Sequence, residues 1–186
     1  MAGSYRAPRD PAGDRGRRPG NLALSPARVR HPLDYQRSNR QRAVSRPFHG
    51  ARATGQTLVV EFDGSVIGDL MLAIEDAWAQ VEVRDRARAV QAELGWSLDP
   101  AQTGKGYATE AVAELIRICF EELHLRRVIA QCFADNEPSW RLMERVGMRR
   151  ESHDVRGSLH RSGEWLDGLT YAMLADEWRS ARPGAR

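Results

Sequence analysis

Two glycines two residues apart, Gly104 and Gly106, carry the strongest chemical signal in this chain. An apolar, strand-like run ends just before them at Leu98, and an amphipathic helical pattern begins directly after them. A glycine-rich turn that leads into a helix lets backbone amides converge on one point, where the helix dipole adds partial positive charge. This stretch therefore predicts a site for a phosphate or pyrophosphate group.

Three kinds of phosphate loop can be compared with this turn. A Walker loop requires Gly-x-x-x-x-Gly-Lys-Ser/Thr, which the chain lacks, and a dinucleotide fingerprint requires glycine where Thr109 stands. The acyl-coenzyme A loop, Gln/Arg-x-x-Gly-x-Gly/Ala, is matched at its last glycine and alanine by Gly106 and Ala108. With this alignment, the first position of the loop, which should be Gln or Arg, falls on Thr103. Gln102 lies one residue before that position.

With these motifs in place, the chain from about Val59 to Trp178 resembles the GNAT N-acetyltransferases, in the ribosomal-protein-alanine acetyltransferase (RimJ/RimL-like) branch. Three segments carry the resemblance in the expected order: residues 104–111, residues 136–148 and residues 164–178. It implies acetyl-coenzyme A as co-substrate, no metal, and direct transfer of the acetyl group to a primary amine. The residues it implies for coenzyme binding are Leu98, Thr103, Gly104, Lys105, Gly106, Tyr107, Ala108 and Asn136.

Acetyl transfer needs a neutral amine and a stabilised leaving thiolate. Glu93, at the start of the central strand, is a candidate general base; it could equally be a rim carboxylate that attracts a cation. Ser139, by the resemblance, would donate a hydrogen bond to the thiolate. Glu82 and Asp76 are weaker candidates for the same task as Glu93. Trp96 and His160 are expected to line the acceptor pocket, and His153 lies on the same hairpin as His160.

The expected fold is α/β (α+β), with a GNAT-type mixed, mostly antiparallel central sheet flanked by helices. Strands are predicted at residues 57–62, 66–74, 92–98, 127–133, 148–160 and 164–174, and residues 81–88 as a short strand or loop. Helices are predicted from Tyr107 to Leu123 and between Pro138 and Gly147. Residues 28–33 could supply the family's first strand.

The domain boundaries follow from composition. Residues 1–20 are expected to be a disordered basic extension, 21–56 a divergent N-terminal part, 57–180 the acetyl-coenzyme A-binding domain, and 181–186 a flexible C-terminus. Residues 1–50 hold 11 arginines and 3 aspartates, a net charge of +8, whereas the remainder is acidic. The acidic part favours a cationic acceptor, and nucleic acid is not an expected partner because no aromatic stacking pattern accompanies the basic tail.

The compartment and the alternatives complete the predictions. Neither a membrane-spanning run nor a secretory signal is recognisable, and Cys119 and Cys132 fit buried thiols in a reducing cytoplasm. A homodimer is compatible with this interpretation. The first alternative function is acetylation of an aminoglycoside-type antibiotic. The second is an inactive coenzyme-binding or interaction module, which the divergent N-terminal part would explain.

Overall fold

Seven strands within the described residues form a single sheet. Most of them are apolar on at least one face, whereas β6 is polar and largely exposed. The computed structural model describes residues 22–26 and 54–181. The sheet has the order β1-β2-β3-β4-β5-β7-β6. The strands are β1 (Leu22–Pro26), β2 (Thr54–Phe62), β3 (Ser65–Glu75), β4 (Gln91–Leu98), β5 (Arg127–Phe133), β6 (Arg149–Leu159) and β7 (Trp165–Leu174).

The pairing within the sheet confirms the expected mixed, mostly antiparallel fold. Strands β4 and β5 are parallel, and every other neighbouring pair is antiparallel. Asp63 and Gly64 form the hairpin turn between β2 and β3, and both residues have positive φ. A parallel pair needs a long crossover, and helix α1 (Tyr107–Arg117) supplies it between β4 and β5.

The remaining helical segments agree with the predictions in part. A π-helical turn (Ile118–Glu122) extends α1 to nearly the predicted end, and α2 (Glu137–Arg145) lies where expected. Two segments differ. Residues Val81–Ala87 form a 3₁₀ helix where a short strand or loop was predicted, and a short helix, α3 (Ala175–Ser180), follows β7 without having been predicted.

Helices α1 and α2 cover one face of the sheet and build the core with it. Side chains from the sheet and both helices are buried together there. Removing a large aliphatic side chain from water stabilises the fold by about 1.5–3 kcal/mol. The largest fully buried members are Tyr171, Leu70, Leu94, Leu115, Ile116, Met143, Val60, Val112 and Val128.

The N-terminal predictions fall largely outside the described residues. Strand β1 is at Leu22–Pro26 and pairs with β2, whereas the segment proposed for the first strand, residues 28–33, is not among those described. The expected disordered extension, residues 1–20, lies outside them as well. No helix within residues 22–26 and 54–181 is long and apolar enough to cross a membrane.

Candidate active site

The parallel strands β4 and β5 separate part-way along their length. Their register begins at Gln91 opposite Arg127 and ends at Glu93 opposite Ile129. Beyond that point each strand continues with its other neighbour, β4 with β3 up to Leu98 and β5 with β7 up to Phe133. The strands therefore enclose a wedge that opens toward their C-terminal ends. This wedge is therefore the candidate site for the co-substrate.

The wedge is lined by backbone, which gives it a definite chemistry. Residues 94–98 of β4 and 130–133 of β5 extend past the last parallel pair. Backbone amides and carbonyls in such positions need partners, and an extended ligand that carries amides can pair with them as an added strand does. The pantetheine arm of coenzyme A is such a ligand.

The glycine turn lies between the C-terminal end of β4 and the start of α1. Gly104 and Gly106 both adopt left-handed backbone, with φ of +75° and +84°, a region that favours glycine. A Cβ added to Gly104 would meet no atom within 4 Å, so this side of the turn opens to solvent. The first helical hydrogen bond of α1 comes from the Glu110 amide. The amides of the first turn are therefore outside the helical ladder, as an anion site requires.

The side chains around this turn brace it. The Lys105 Nζ donates to the Gln102 Oε1 at 2.8 Å, and the Thr103 hydroxyl donates to the Pro100 carbonyl at 2.8 Å. The Tyr107 ring packs on Phe62 with ring centroids 4.6 Å apart. Backbone is thus the part of this turn that suits a phosphate, while these three predicted binding residues hold its shape.

The start of α2 reaches the same edge of the sheet, because β5 runs parallel to β4. Asn136 occupies the N-cap position, yet its side chain makes no capping hydrogen bond. The Asn136 side chain therefore does not serve as the helix cap that an asparagine at this position usually provides. Ser139 is half-buried in the first turn, and its amide donates to the Asn136 carbonyl at 3.0 Å. The fold thus brings the glycine turn, Asn136 and Ser139 to one end of the wedge.

Glu93 lies where the two strands part. It is half-buried, and burial raises the pKa of its carboxyl group; the nearby Glu75 carboxylate adds to the rise. The strand alternates its side chains, with Ala92 and Leu94 in the core beneath the helices, so Glu93 points to the opposite face. A carboxylate with a raised pKa on that face can accept a proton from an approaching ammonium.

Two further carboxylates share this face, and the sequence did not single them out. Asp69 pairs with Ser97 and Glu75 pairs with Gln91, both at positions that alternate in step with Glu93. Burial also raises the pKa of Asp69. The alternation of side chains along β3 already predicts that Asp69 and Glu75 share one face. Only the pairing of β3 with β4 shows that Glu93 lies on the same face.

Trp96 takes a different position from Glu93. It pairs with Leu70 and packs against the core beneath the helices, so the two side chains lie on opposite faces of the sheet. On the face that carries Glu93, Met71 lies over Gly95, where an added Cβ would meet the Met71 Cε at 3.3 Å. A contact between Trp96 and the acceptor stays a prediction.

His160 lies just beyond β6, beside the end of β5. Its ring meets Phe133 edge-on, with ring centroids 5.2 Å apart. The Nδ1 atom lies 3.0 Å from the Ser162 hydroxyl, which in turn donates to Glu164 at 3.2 Å. The imidazole is thereby held at the open end of the wedge, although these contacts also stabilise the hairpin turn itself.

The weaker candidates have other partners or lie elsewhere. Asp76 accepts the Ala89 amide at 2.9 Å, and Glu82 lies exposed in the 3₁₀ helix. His153 contacts the Asp167 carboxylate at 2.7 Å. That carboxylate also accepts the Arg156 amide, so it holds the irregular part of β6 in place.

The two cysteines and the metal chemistry can be judged from the same structure. Burial raises the pKa of Cys119 to about 12 and that of Cys132 to about 11, which keeps both thiols protonated at neutral pH. A thiol is a weak nucleophile in that form. Within the described part of the chain, no group of three or more histidine, cysteine or acidic side chains is arranged to hold a metal ion.

Comparison with known proteins agrees with this geometry. Residues 21–149 match the model of the acetyltransferase (GNAT) domain. The chain is 41% identical over 86 residues to the uncharacterized N-acetyltransferase YnaD of Bacillus subtilis, covering 46% of this chain and 50% of that protein. It is 33% identical over 121 residues to the putative ribosomal N-acetyltransferase YdaF of the same organism, covering 65% of this chain and 60% of that one.

A solved structure extends the comparison. Mycobacterium smegmatis RimJ in complex with CoA-disulfide superposes with a TM-score of 0.56 at 30% identity, covering 66% of this chain and 54% of that chain. The chain thus spans about half to three fifths of the length of the relatives described here. The match to the domain model over most of the chain, together with a wedge and glycine turn in the expected places, shows that this protein belongs to the GNAT acetyltransferase family.

Proposed function

We propose that this protein transfers the acetyl group of acetyl-coenzyme A directly to a primary amine. The observation that carries the proposal is the end of the β4–β5 register at Glu93 and Ile129, with the glycine turn at the open end of the wedge. A pantetheine arm would lie between the strands, and the pyrophosphate would lie on the amides at the start of α1. RimJ, with which the chain superposes, was solved with a coenzyme A derivative.

Groups on the two faces of the sheet would have different roles in the reaction. Ser139 belongs to helix α2, which covers one face, whereas Glu93 belongs to the other face. The amine nitrogen would attack the thioester carbonyl carbon from the Glu93 side, and Glu93 would take the proton that the nitrogen loses. The carbon–sulfur bond then breaks, and the Ser139 hydroxyl donates a hydrogen bond to the departing thiolate. The raised pKa of Glu93 suits a base of this kind.

The acceptor is proposed to be cationic in solution. Asp69, Glu75 and Glu93 place three carboxylates on one face of the sheet, where a positive charge would be favoured. A protein N-terminus and a small amine both meet this requirement. The relatives include a putative ribosomal N-acetyltransferase, RimJ and an L-amino acid N-acetyltransferase. The cytoplasmic location and the homodimer expected from the sequence stay predictions.

An acceptor screen with thiol detection tests the proposal. The purified protein would be incubated with acetyl-coenzyme A and, separately, with alanine-starting peptides, polyamines, amino acids and aminoglycosides. We expect release of free coenzyme A that depends on the acceptor, with the acetylated amine found by mass spectrometry. Thiol release with aminoglycosides alone would favour the antibiotic alternative. Coenzyme binding without transfer to any acceptor would favour the inactive module.

A further inference from the structure

The side chain of Trp140 ties the start of helix α2 to the end of strand β5. Its indole Nε1–H donates a hydrogen bond to the backbone carbonyl oxygen of Ala134 at 3.2 Å. Ala134 precedes Asn136, and Trp140 follows it, so this bond closes the turn around Asn136 from outside the helical ladder. Trp140 is half-buried and packs against the core, which holds the ring in place.

The same turn is held from the sheet as well. The Ala134 amide donates to the Asp167 carbonyl in β7 at 2.9 Å. The Asn136 amide donates to the Phe133 carbonyl at 2.9 Å, and the Trp140 amide donates to the Asn136 carbonyl at 3.3 Å. Backbone on both sides of Asn136 is therefore fixed, by the sheet on one side and by the indole on the other.

Such bracing is more than a helix start requires. An N-cap asparagine ordinarily anchors its own turn by accepting an amide of the first helical residues, but the Asn136 side chain does not do so. The indole of Trp140 supplies the missing anchor, which leaves the amide group of Asn136 for another partner. Since Asn136 lies at the open end of the wedge, that partner would be the ligand in the wedge.

We propose that Trp140 is a positioning residue for the coenzyme, which fixes the turn 134–139 so that Asn136 and Ser139 stand at the wedge. This inference rests on the proposed function, because it assigns coenzyme A to the wedge. Trp140 is not a catalytic residue, since its indole N–H is engaged by the Ala134 carbonyl. It keeps Asn136 ordered before the coenzyme binds, so that binding does not lose the conformational entropy of this residue.

The variant Trp140→Phe tests the proposal, because it keeps an aromatic ring and removes the N–H donor. Coenzyme A affinity would be measured by calorimetry, beside the melting temperature and the exchange of individual backbone amides. We expect the Kd for coenzyme A to rise by about 3- to 10-fold, the range that corresponds to the loss of one net hydrogen bond. Amide exchange should accelerate at Ser139 but not in the last turn of α2.

Trp178→Phe is the matched control. Trp178 lies in α3, which begins beside the start of β5 rather than at its end, and it packs on Phe120 with ring centroids 5.5 Å apart. This variant should lower the melting temperature and leave the coenzyme Kd unchanged. If Trp140→Phe binds coenzyme A as tightly as the wild type, or loses affinity only as Trp178→Phe does, the positioning role is overturned while the proposed function stands. If the wild type itself does not bind coenzyme A, both are overturned.

Discussion

Burial and neighbouring charge give Glu93 a chemistry that its residue type alone would not. The carboxyl group lies half-buried at the point where two strands part, and both burial and the Glu75 carboxylate disfavour its ionised form. A residue in this state loses its proton at a higher pH than an exposed glutamate does. The sequence identifies Glu93 as a candidate base. The alternation of side chains along β4 also implies that Glu93 and Trp96 lie on opposite faces of the sheet, as the structure shows.

Replacing Glu93 by glutamine should change the pH dependence of the reaction. In the wild type, activity should fall as the pH is lowered through the raised pKa of Glu93, because the protonated carboxyl group cannot accept a proton. Glu93→Gln should be about 10²–10⁴-fold slower near neutral pH and should recover in part in alkali, where the free amine is abundant. The measurement is a pair of pH–rate profiles at saturating and limiting acceptor. An unchanged profile would remove Glu93 from the mechanism, and a raised acceptor KM with unchanged kcat would make it an attracting charge only.

Glu93→Gln should lower activity near neutral pH but raise the stability of the folded protein there. Because the pKa of Glu93 is raised in the folded protein, its ionised form opposes folding at pH values above that raised pKa. Glu93→Gln removes this opposition, so the melting temperature of the variant relative to the wild type should rise as the pH is raised from acid to neutral. Thermal unfolding at several pH values measures the difference. A relative melting temperature that does not vary with pH would mean that Glu93 is solvated like a surface carboxylate.

Ser139→Ala should act mainly on the transition state. A donor to the departing sulfur matters most when negative charge develops there, so kcat should fall by about 10- to 100-fold while the coenzyme Kd changes by less than about 2-fold. Ser152→Ala is a suitable control, since the Ser152 hydroxyl bonds to Asp154 on β6, away from the wedge. Equal losses of coenzyme affinity and turnover in Ser139→Ala would instead assign this hydroxyl to binding.

At the scale of elements, the candidate site is built mainly from backbone. The diverging strands β4 and β5 form the wedge, and the glycine turn follows β4. Helix α1 was predictable from its apolar period of 3.6, and β5 from its continuous apolar run. The polar strand β6 has no such pattern and was predictable only with its hairpin partner β7. The 3₁₀ helix at residues 81–87 and the short helix α3 were not predictable, since segments so short carry little periodic signal. The irregular part of β6, held by Asp167, could not be foreseen either, because it depends on a contact between two strands.

Two glycines with the same conformation allow the glycine turn to be tested by itself. Gly104 and Gly64 both have φ of +75°, and a Cβ added to either meets nothing within 4 Å. Changing either to alanine should therefore lower stability by a similar amount, about 1 kcal/mol, through backbone strain alone. Gly104→Ala should in addition weaken coenzyme binding, whereas Gly64→Ala, in the β2–β3 hairpin, should not. Unfolding curves and coenzyme titrations distinguish the two effects; equal coenzyme affinity in both variants would contradict a phosphate site at this turn.

For the molecule as a whole, the coenzyme should act as a stabilising ligand. A ligand that binds only the folded state raises stability by about 2.7 kcal/mol at 100 times its Kd. For a protein of this size that corresponds to an increase in melting temperature of roughly 5–10 °C. Differential scanning with and without acetyl-coenzyme A measures it, with adenosine monophosphate as a ligand that lacks the pantetheine arm. A melting curve that acetyl-coenzyme A leaves unmoved would count against the wedge as its binding site.

The short parallel register also has a consequence for how the native state opens. Strands β1 to β4 form one antiparallel unit and β5 to β7 another, and three residue pairs join them within the sheet. Those pairs unite positions 36 residues apart in sequence, so the seam is expected to close late in folding, after the local hairpins. Because three residue pairs hold this seam and five or more hold every other strand pair, we expect the sheet to open along it more readily than between its antiparallel neighbours. Coenzyme bound in the wedge would contact both units, so it should slow the opening of this seam.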